Sequence, residues 1–270
     1  MGWALAFPVA FVLLGLGNTV GYHRLFTHRA FRASGPVRAI LAVLGALHAG
    51  PPLLWIGLHR VHHLRSDDVE DPHSPRQHGL WWAHTGWLIG PLATTRAGAI
   101  LPVLLALSGF GQQALTLAHD VRRLLGKNPP TWLALTPDLA SDPALSLLER
   151  PLVCPGLFAG QVTLAWTVGG PLGILWLWLL HITLTNASWA VNSIGHGAQF
   201  GSAPHDTGDG SRDVPWLAPF TLGEAFHNSH HRYPRSARHA VGGGFDPSWW
   251  VIRGMVALGL ARDPWLPRGK

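Results

Sequence analysis

Two stretches of this chain repeat one pattern of imidazoles: His59, His62 and His63 in LHRVHH, and His227, His230 and His231 in AFHNSHH. Upstream, His23 and His28 form an H-x4-H pair in YHRLFTH, and Asn192 and His196 stand four apart in NSIGH. Neutral imidazole binds zinc, copper, iron and nickel, so a recurring H-x-x-H-H in an apolar chain reads as metal coordination. Positions i, i+3 and i+4 of a helix share a face, so each triplet can turn its three rings toward one site. Asn192 and His196 can do the same. His23 and His28, at i and i+5, lie about 140° apart on a regular helix, which predicts that they straddle a helix end or serve different ions. One tetrahedral zinc takes four ligands and has no use for all these histidines. Two ions, each with four or five imidazoles and an open position, use them all.

The elements that carry these residues are strongly apolar. Charged residues make up 13% of the chain and apolar ones 47%, with 14 Trp, which points to a membrane protein with polar islands. The net charge of +6 rests on arginines flanking apolar segments, a pattern that suits membrane margins and argues against nucleic acid as a partner. A single Cys154 excludes a disulfide framework or an iron–sulfur cluster built within the chain. Spans are predicted near 3–20, 152–168 and 172–192, the last two parted by Gly169-Gly170-Pro171. The first run lacks a basic leader-like start and reads as a retained span. The stretch 37–58 is broken at Gly50-Pro51-Pro52, which predicts a re-entrant or interfacial segment. Ile100–Phe110 is too short to span. The arginines around the first two histidine groups place those groups in the cytoplasm. The expected fold is therefore an all-α integral membrane protein, one domain over 1–270, with transmembrane helices and a cytoplasmic helical cap holding a histidine-rich di-metal site.

In this order around paired spans, HRLFTH, HRVHH, NSIGH and HNSHH resemble the histidine boxes of the membrane fatty acyl desaturase family, in its stearoyl-type Δ9 branch. The resemblance extends to DPHSP (71–75), GLWWAHTGWL (79–88) and NASWAVNS (186–193), covering roughly 15–95 and 140–235. It implies a non-haem di-iron centre that uses O2 to desaturate a saturated acyl chain carried by coenzyme A, a lipid or a carrier protein. It implies that His23, His28, His59, His62, His63, His196, His227, His230 and His231 hold the two irons, and that Asn192 reaches one of them through water. With no cysteine cluster and no haem motif in the chain, electrons are expected from a separate ferredoxin, rubredoxin or cytochrome b5 type of donor. The expected location is a bacterial inner membrane, with the site facing the cytoplasm. Two departures stand out. Only 22 residues precede His23, where this branch has two spans, so a span is missing or the start is truncated; and an insertion is expected at about 95–135.

Other residues have two readings each. Phe7 and Phe11, one turn apart on the span leading to His23, could floor an acyl channel or face lipid. Trp189 could line the same channel or sit in an interfacial belt. His48 and His181 read as hydrogen-bonded interior residues, His73 and His84 as neighbours of the ligands or as structural groups. Asp71-Pro72 reads as a turn or helix start, and Glu224 as a carboxylate that orients a ligand imidazole or is simply solvated. Two rival functions remain: a hydroxylase on the same iron centre, and a histidine-rich metal transporter, against which the placement of the histidines in polar islands counts.

Overall fold

The computed structural model describes residues 2–88, 103–104, 106–125 and 134–268. Among the described residues it is mostly helical, with two helices long and apolar enough to cross a membrane and a third such segment if a bent pair counts as one. The first helix, Gly2–Leu16, runs without a break into a π-helical stretch, Gly17–Thr27, every residue of which is buried. The predicted span over 3–20 thus continues through His23, because the chain widens its turn instead of ending its helix. Leu5, Val9 and Leu13 point outward from its first half.

Glycine fixes how closely the next helix, Gly35–Ala49, approaches. A methyl group on Gly17 would lie 2.2 Å from the Gly45 nitrogen, and one on Gly45 would lie 2.5 Å from the Tyr22 ring. Neither backbone could approach this closely with a side chain between them. Gly35–Ala49 then breaks at Gly50 (φ 81°) and Pro51, and Pro52–Arg65 leaves at 80°.

A helix end inside an apolar protein leaves carbonyls that must be satisfied. Here four side chains donate to four consecutive carbonyls: Gln161 to Leu47 (2.9 Å), Gln113 to His48 (3.2 Å), Gln112 to Ala49 (3.3 Å) and Tyr22 to Gly50 (2.9 Å). His181 completes this network, its ring nitrogens 3.1 Å from Gln113 Nε2 and 3.2 Å from Gln161 Oε1.

The long apolar stretch Val153–Ser193 is one helix by hydrogen bonding except at Gly170 (φ 55°, ψ −138°), beside Pro171, where it divides. Leu164, Trp166, Val168 and Leu172 are exposed around this division, as lipid-facing residues are. The expected insertion at about 95–135 lies partly outside the described residues. Its described helix, Gly111–Leu124, is fastened by Asp120, which accepts from the Leu152 N–H at 2.8 Å, and by Arg123, which donates to the Glu149 carbonyl at 2.8 Å.

The remaining segments form a cap over the ends of these helices. The short helix His227–Arg232 is held by its own inner residues. Ser229 N–H donates to Asp213 at 2.9 Å, and Asn228 exchanges hydrogen bonds with the His205 backbone at 2.8 and 3.1 Å. The helix Pro247–Ala257 leads to Ala261–Arg262, which pairs antiparallel with Arg32–Ala33 just after His28. Tyr22, Phe26, Ile56, Leu145 and Ile252 make the core between cap and helices.

Candidate metal centre

The nine box histidines gather into two adjoining clusters. His23, His28, His59, His63 and His230 form one; His62, His196, His227 and His231 form the other, and within each the ligand-capable atoms lie within 4.8 Å of one another. The two triplets therefore do not each aim at one site, as helical spacing predicts. The i, i+4 pair His59 and His63 enters the first cluster while His62 enters the second. The triplet at 227–231 does the reverse, giving His227 and His231 to the second cluster and His230 to the first. Position i+3 lies on the other flank of i from i+4, so one short helix can serve two ions side by side.

The H-x4-H pair straddles a helix end, the first of the two alternatives: His23 lies inside the π-helical stretch Gly17–Thr27 and His28 caps it. The two rings nevertheless meet: the π-helical winding closes an i to i+5 bond, His28 N–H to His23 carbonyl at 3.1 Å, and sets the rings edge to face at 4.8 Å between centroids. A π turn adds one residue per hydrogen-bonded loop, which converts a spacing of five into a shared face.

The Nε2 atoms face one another along each cluster. In the first they run His23–His230 (3.0 Å), His230–His63 (2.9 Å), His63–His59 (3.0 Å) and His59–His28 (3.1 Å). In the second they run His62–His231 (3.2 Å), His231–His227 (3.1 Å) and His227–His196 (3.0 Å). An imidazole nitrogen has one hydrogen or one lone pair in the ring plane, so a ring such as His63, with two such neighbours, cannot bond both. Donors bound at about 2.1 Å to one ion and at right angles would lie about 3 Å apart. The spacing fits shared ions and does not fit a hydrogen-bonded chain, and the all-imidazole donor set suits iron as well as zinc or copper.

The opposite ring nitrogens fix the tautomer. Nδ1–H donates to a carboxylate from His62 (Asp71, 3.1 Å), His196 (Asp67, 2.9 Å), His231 (Asp209, 2.6 Å) and His23 (Glu224). Each such bond leaves the Nε2 lone pair directed into the cluster. Burial holds His28, His227 and His230 well below the usual imidazole range and His231 down to about 4, the last opposed by Asp209. These rings are therefore neutral and ligand-ready at pH 7. Burial also works to raise Asp67, Asp71 and Asp209, but bonds from His196, His62 and His231 outweigh it and hold all three below the usual carboxylate range.

Asp67, Asp71 and Asp209 are the site residues that the spacing of histidines does not reveal. Asp71 is more than a turn residue: besides His62 it accepts from the Asp67 N–H at 2.8 Å. Asp67 adopts a left-handed backbone (φ 59°) and accepts from Gly210 N–H at 2.6 Å, where any β-carbon on Gly210 would sit 2.7 Å from its oxygen. A signal was present, since acids are scarce here (14 Asp and Glu in all) and these stand in the polar islands next to the boxes. Glu224, in the turn before the helix His227–Arg232, pairs with His23 rather than with the histidines that follow it. Buried Arg24 donates to it at 2.7 Å and to Asp246 at 3.1 Å. Burial pushes Glu224 up to about 7 against the pull of Arg24.

A cavity of about 760 Å³ runs along both clusters, touching His23 and His59 of the first and His227 of the second, with Asn192 beside them. Its wall includes Trp55, Leu58, Leu184, Trp189 and, at the first helix, Phe11 and Gly15. Phe11 and Trp189 therefore face it. Phe7 does not line it; its ring meets Trp176 edge-on at 5.9 Å. His73 packs against His62 at 4.5 Å between centroids, and His84 bridges Ser193 and Asn186, each at 3.0 Å, on the helix that carries Asn192.

Sequence comparison agrees with this architecture. Residues 1–242 match the profile of the fatty acid desaturase family. An sn-1 stearoyl-lipid 9-desaturase of Anabaena variabilis is 33% identical over 257 residues, 92% of this chain and 78% of the relative. An acyl-CoA 5-desaturase of Anemone leveillei is 32% identical over 260 residues, 93% of this chain and 68% of that protein. A hex-5-enoyl-[acyl-carrier protein] acetylenase of Moorena producens is 30% identical over 302 residues, 98% of this chain and 80% of the relative. With helices able to span a membrane and two buried histidine clusters able to bind metal, the chain belongs to the membrane fatty acid desaturase family. It is an oxidoreductase of fatty acyl chains.

Proposed function

We propose that the chain desaturates a saturated fatty acyl group at the Δ9 position, carried by a lipid or by coenzyme A, at a di-iron centre facing the cytoplasm of a bacterial inner membrane. The observation that carries this reading is the pair of converging imidazole clusters beside one mainly apolar cavity of about 760 Å³. His23, His28, His59, His63 and His230 would hold one iron, and His62, His196, His227 and His231 the other, with Asn192 reaching the second through a water. When bound, the iron pair supplies the O2 activation that takes one hydrogen from each of two neighbouring carbons, both oxygen atoms leaving as water with two electrons and two protons from outside.

The chain's own residues do the rest. Asp67, Asp71, Asp209 and Glu224 keep the Nδ1 protons of four rings in place. Trp55, Leu58, Leu184 and Trp189 line the space beside the clusters, where they exclude water and hold the chain extended past them. Because the acyl chain has no charge near the reacting carbons, register comes from shape, and the Phe11 ring on the cavity wall limits how far it slides in. The Δ9 position follows the Anabaena variabilis relative. The electron donor is a separate protein of the ferredoxin, rubredoxin or cytochrome b5 type.

The test is metal analysis of the purified protein together with lipid analysis of an expressing host. About two irons per chain and a new cis-Δ9 double bond are expected. Hydroxylated products without alkenes would favour the hydroxylase reading, and exchangeable zinc without new lipids would overturn the enzyme reading for these clusters.

A further inference from the structure

Against the first cluster stands a histidine outside the four boxes. His239 is 0% exposed, and its ring lies 4.4 Å from that of His230 and 5.2 Å from that of His23, centroid to centroid. Neither of its ring nitrogens has a hydrogen-bond partner among the described residues. Its Nδ1 is 3.5 Å from Glu224 Oε2, the oxygen that His23 engages. The ring is fixed from behind. The His239 N–H donates to Asp246 at 2.7 Å, Asp246 accepts from Arg24 at 3.1 Å, and Arg24 donates to Glu224 Oε1 at 2.7 Å. Arg24, Glu224, His239 and Asp246 thus close a buried circuit around the carboxylate that serves His23.

Native interiors leave few polar atoms unpaired, and those that remain have a reason. A neutral imidazole carries one N–H, and beside a carboxylate that proton belongs on the nitrogen facing it, here Nδ1. One carboxylate oxygen has two lone pairs, so Oε2 can take the Nδ1–H of His23 and that of His239 together while Oε1 answers Arg24. Arg24 draws on one oxygen only; a second donor on the other keeps the carboxylate from turning away from His23. The guanidinium on the same carboxylate also speaks against a third ion among His23, Glu224 and His239. The second cluster repeats the arrangement. Asp71 Oδ2 serves His62 at 3.1 Å, while its Oδ1 lies 3.3 Å from Nδ1 of His73, whose ring packs 4.5 Å from that of His62. In both places one carboxylate is shared between a box imidazole and an imidazole outside the boxes.

We propose that His239 is a positioning residue of the first cluster, steadying through its Nδ1–H the Glu224 oxygen that orients His23 toward its ion; this rests on the reading of the clusters as a metal centre. The test is equilibrium binding of Co(II) to the purified, metal-stripped full chain in lipid nanodiscs. Binding is read by visible absorption in competition with a graded chelator. A His62→Ala/His227→Ala background leaves the first cluster as the one binding step. His239→Leu, which removes the nitrogens and keeps bulk, should weaken Co(II) binding by about tenfold and shift its visible band. His239→Asn, whose Nδ2 stands where Nδ1 stood, should restore most of the affinity. Glu224→Gln should weaken binding at least as much, and adding His239→Leu to it should change nothing further, because the second residue acts through the first. A purely structural role would instead give losses that add. His239→Ala serves in the same cycle if His239→Leu does not fold. The proposal is overturned if affinity and band are unchanged in inserted His239→Leu, or if the two losses add. Absence of Co(II) uptake by the wild type is a different result, which overturns the metal-centre reading itself and this proposal with it.

Discussion

Five imidazoles in one cluster stand against four in the other, but the carboxylates behind them run the opposite way. Among the described residues, Asp67, Asp71 and Asp209 back the four-histidine cluster, whereas the five-histidine cluster has Glu224 alone, and Glu224 is shared with buried Arg24. A carboxylate behind an imidazole raises its donor strength and fixes its direction. The two positions thus reach a cation by different means, one by number of nitrogens and one by the charge arranged behind them. The lesson is that counting ligands ranks the two sites in the reverse order from counting the charges that support them.

Removing a nitrogen should separate the two clusters most sharply. His62→Ala leaves three imidazoles in the second cluster and should drop iron content from about two to about one per chain and lower turnover by more than about a thousandfold. His28→Ala leaves four in the first, and should keep more of its iron. Metal analysis and single-turnover assays read both, and equal iron loss in the two variants would erase the distinction. Removing a supporting charge comes next. Asp67→Asn should weaken iron binding at the second cluster by about 10- to 100-fold, with inserted protein unchanged, as measured by competition with a graded chelator. Asn192→Ala should spare iron content while lowering turnover, since a residue acting through water tunes the ion more than it holds it; iron loss as complete as in His196→Ala would make it a direct ligand.

Smaller effects follow at the cavity's end and in acid. Phe11→Ala should shift preference toward longer saturated chains by about 1–3 kcal/mol, while Phe7→Ala, whose ring meets Trp176, should leave the length profile unchanged. In a series of acyl thioesters, a shift in the second variant and none in the first would reverse the assignment. The pH effect concerns the metal-free protein. His28, His227, His230 and His231 stay neutral when folded but take protons in the unfolded chain below about 6.5, so the unfolded state binds more protons there and stability falls as pH drops. Glu224 and Glu149, each pushed up to about 7 by burial, pull the other way, as do Asp213 and Asp246, which burial also raises. The buried imidazoles outweigh them because Asp67, Asp71 and Asp209, held low, act in the same direction as the rings. The midpoint of thermal unfolding after chelation should be lower at pH 5.5 than at 7.5, and an unchanged midpoint would speak against neutral buried rings.

The nine histidines were legible because imidazoles are conspicuous in an apolar chain and their spacing repeats. Their partition was not. Whether His62 joins His59 or turns to the other side depends on where the facing helix presents His230 and His231, which only tertiary packing decides. His23 and His28 required a π turn, and regular helical geometry pointed away from it. Asp67 acts through a left-handed backbone and a glycine 143 residues distant, and no local pattern announces such a pairing. The helix break at Gly50-Pro51-Pro52 was plain from the residues; the glutamines that make it tolerable were not, since they lie elsewhere in the chain.

Those glutamines bear on how the protein is made. The Leu47 carbonyl waits for Gln161, 114 residues further along, and the His48 and Ala49 carbonyls wait for Gln113 and Gln112. Until the ribosome has delivered those partners, the broken end of Gly35–Ala49 has only water or lipid headgroups to satisfy it, so it cannot settle to its final depth in the bilayer. Its settling is therefore a late event that follows synthesis of Gln161, and the first histidine cluster, whose His59 and His63 ride on the helix after that break, is complete only once His230, of 270 residues, has been made as well.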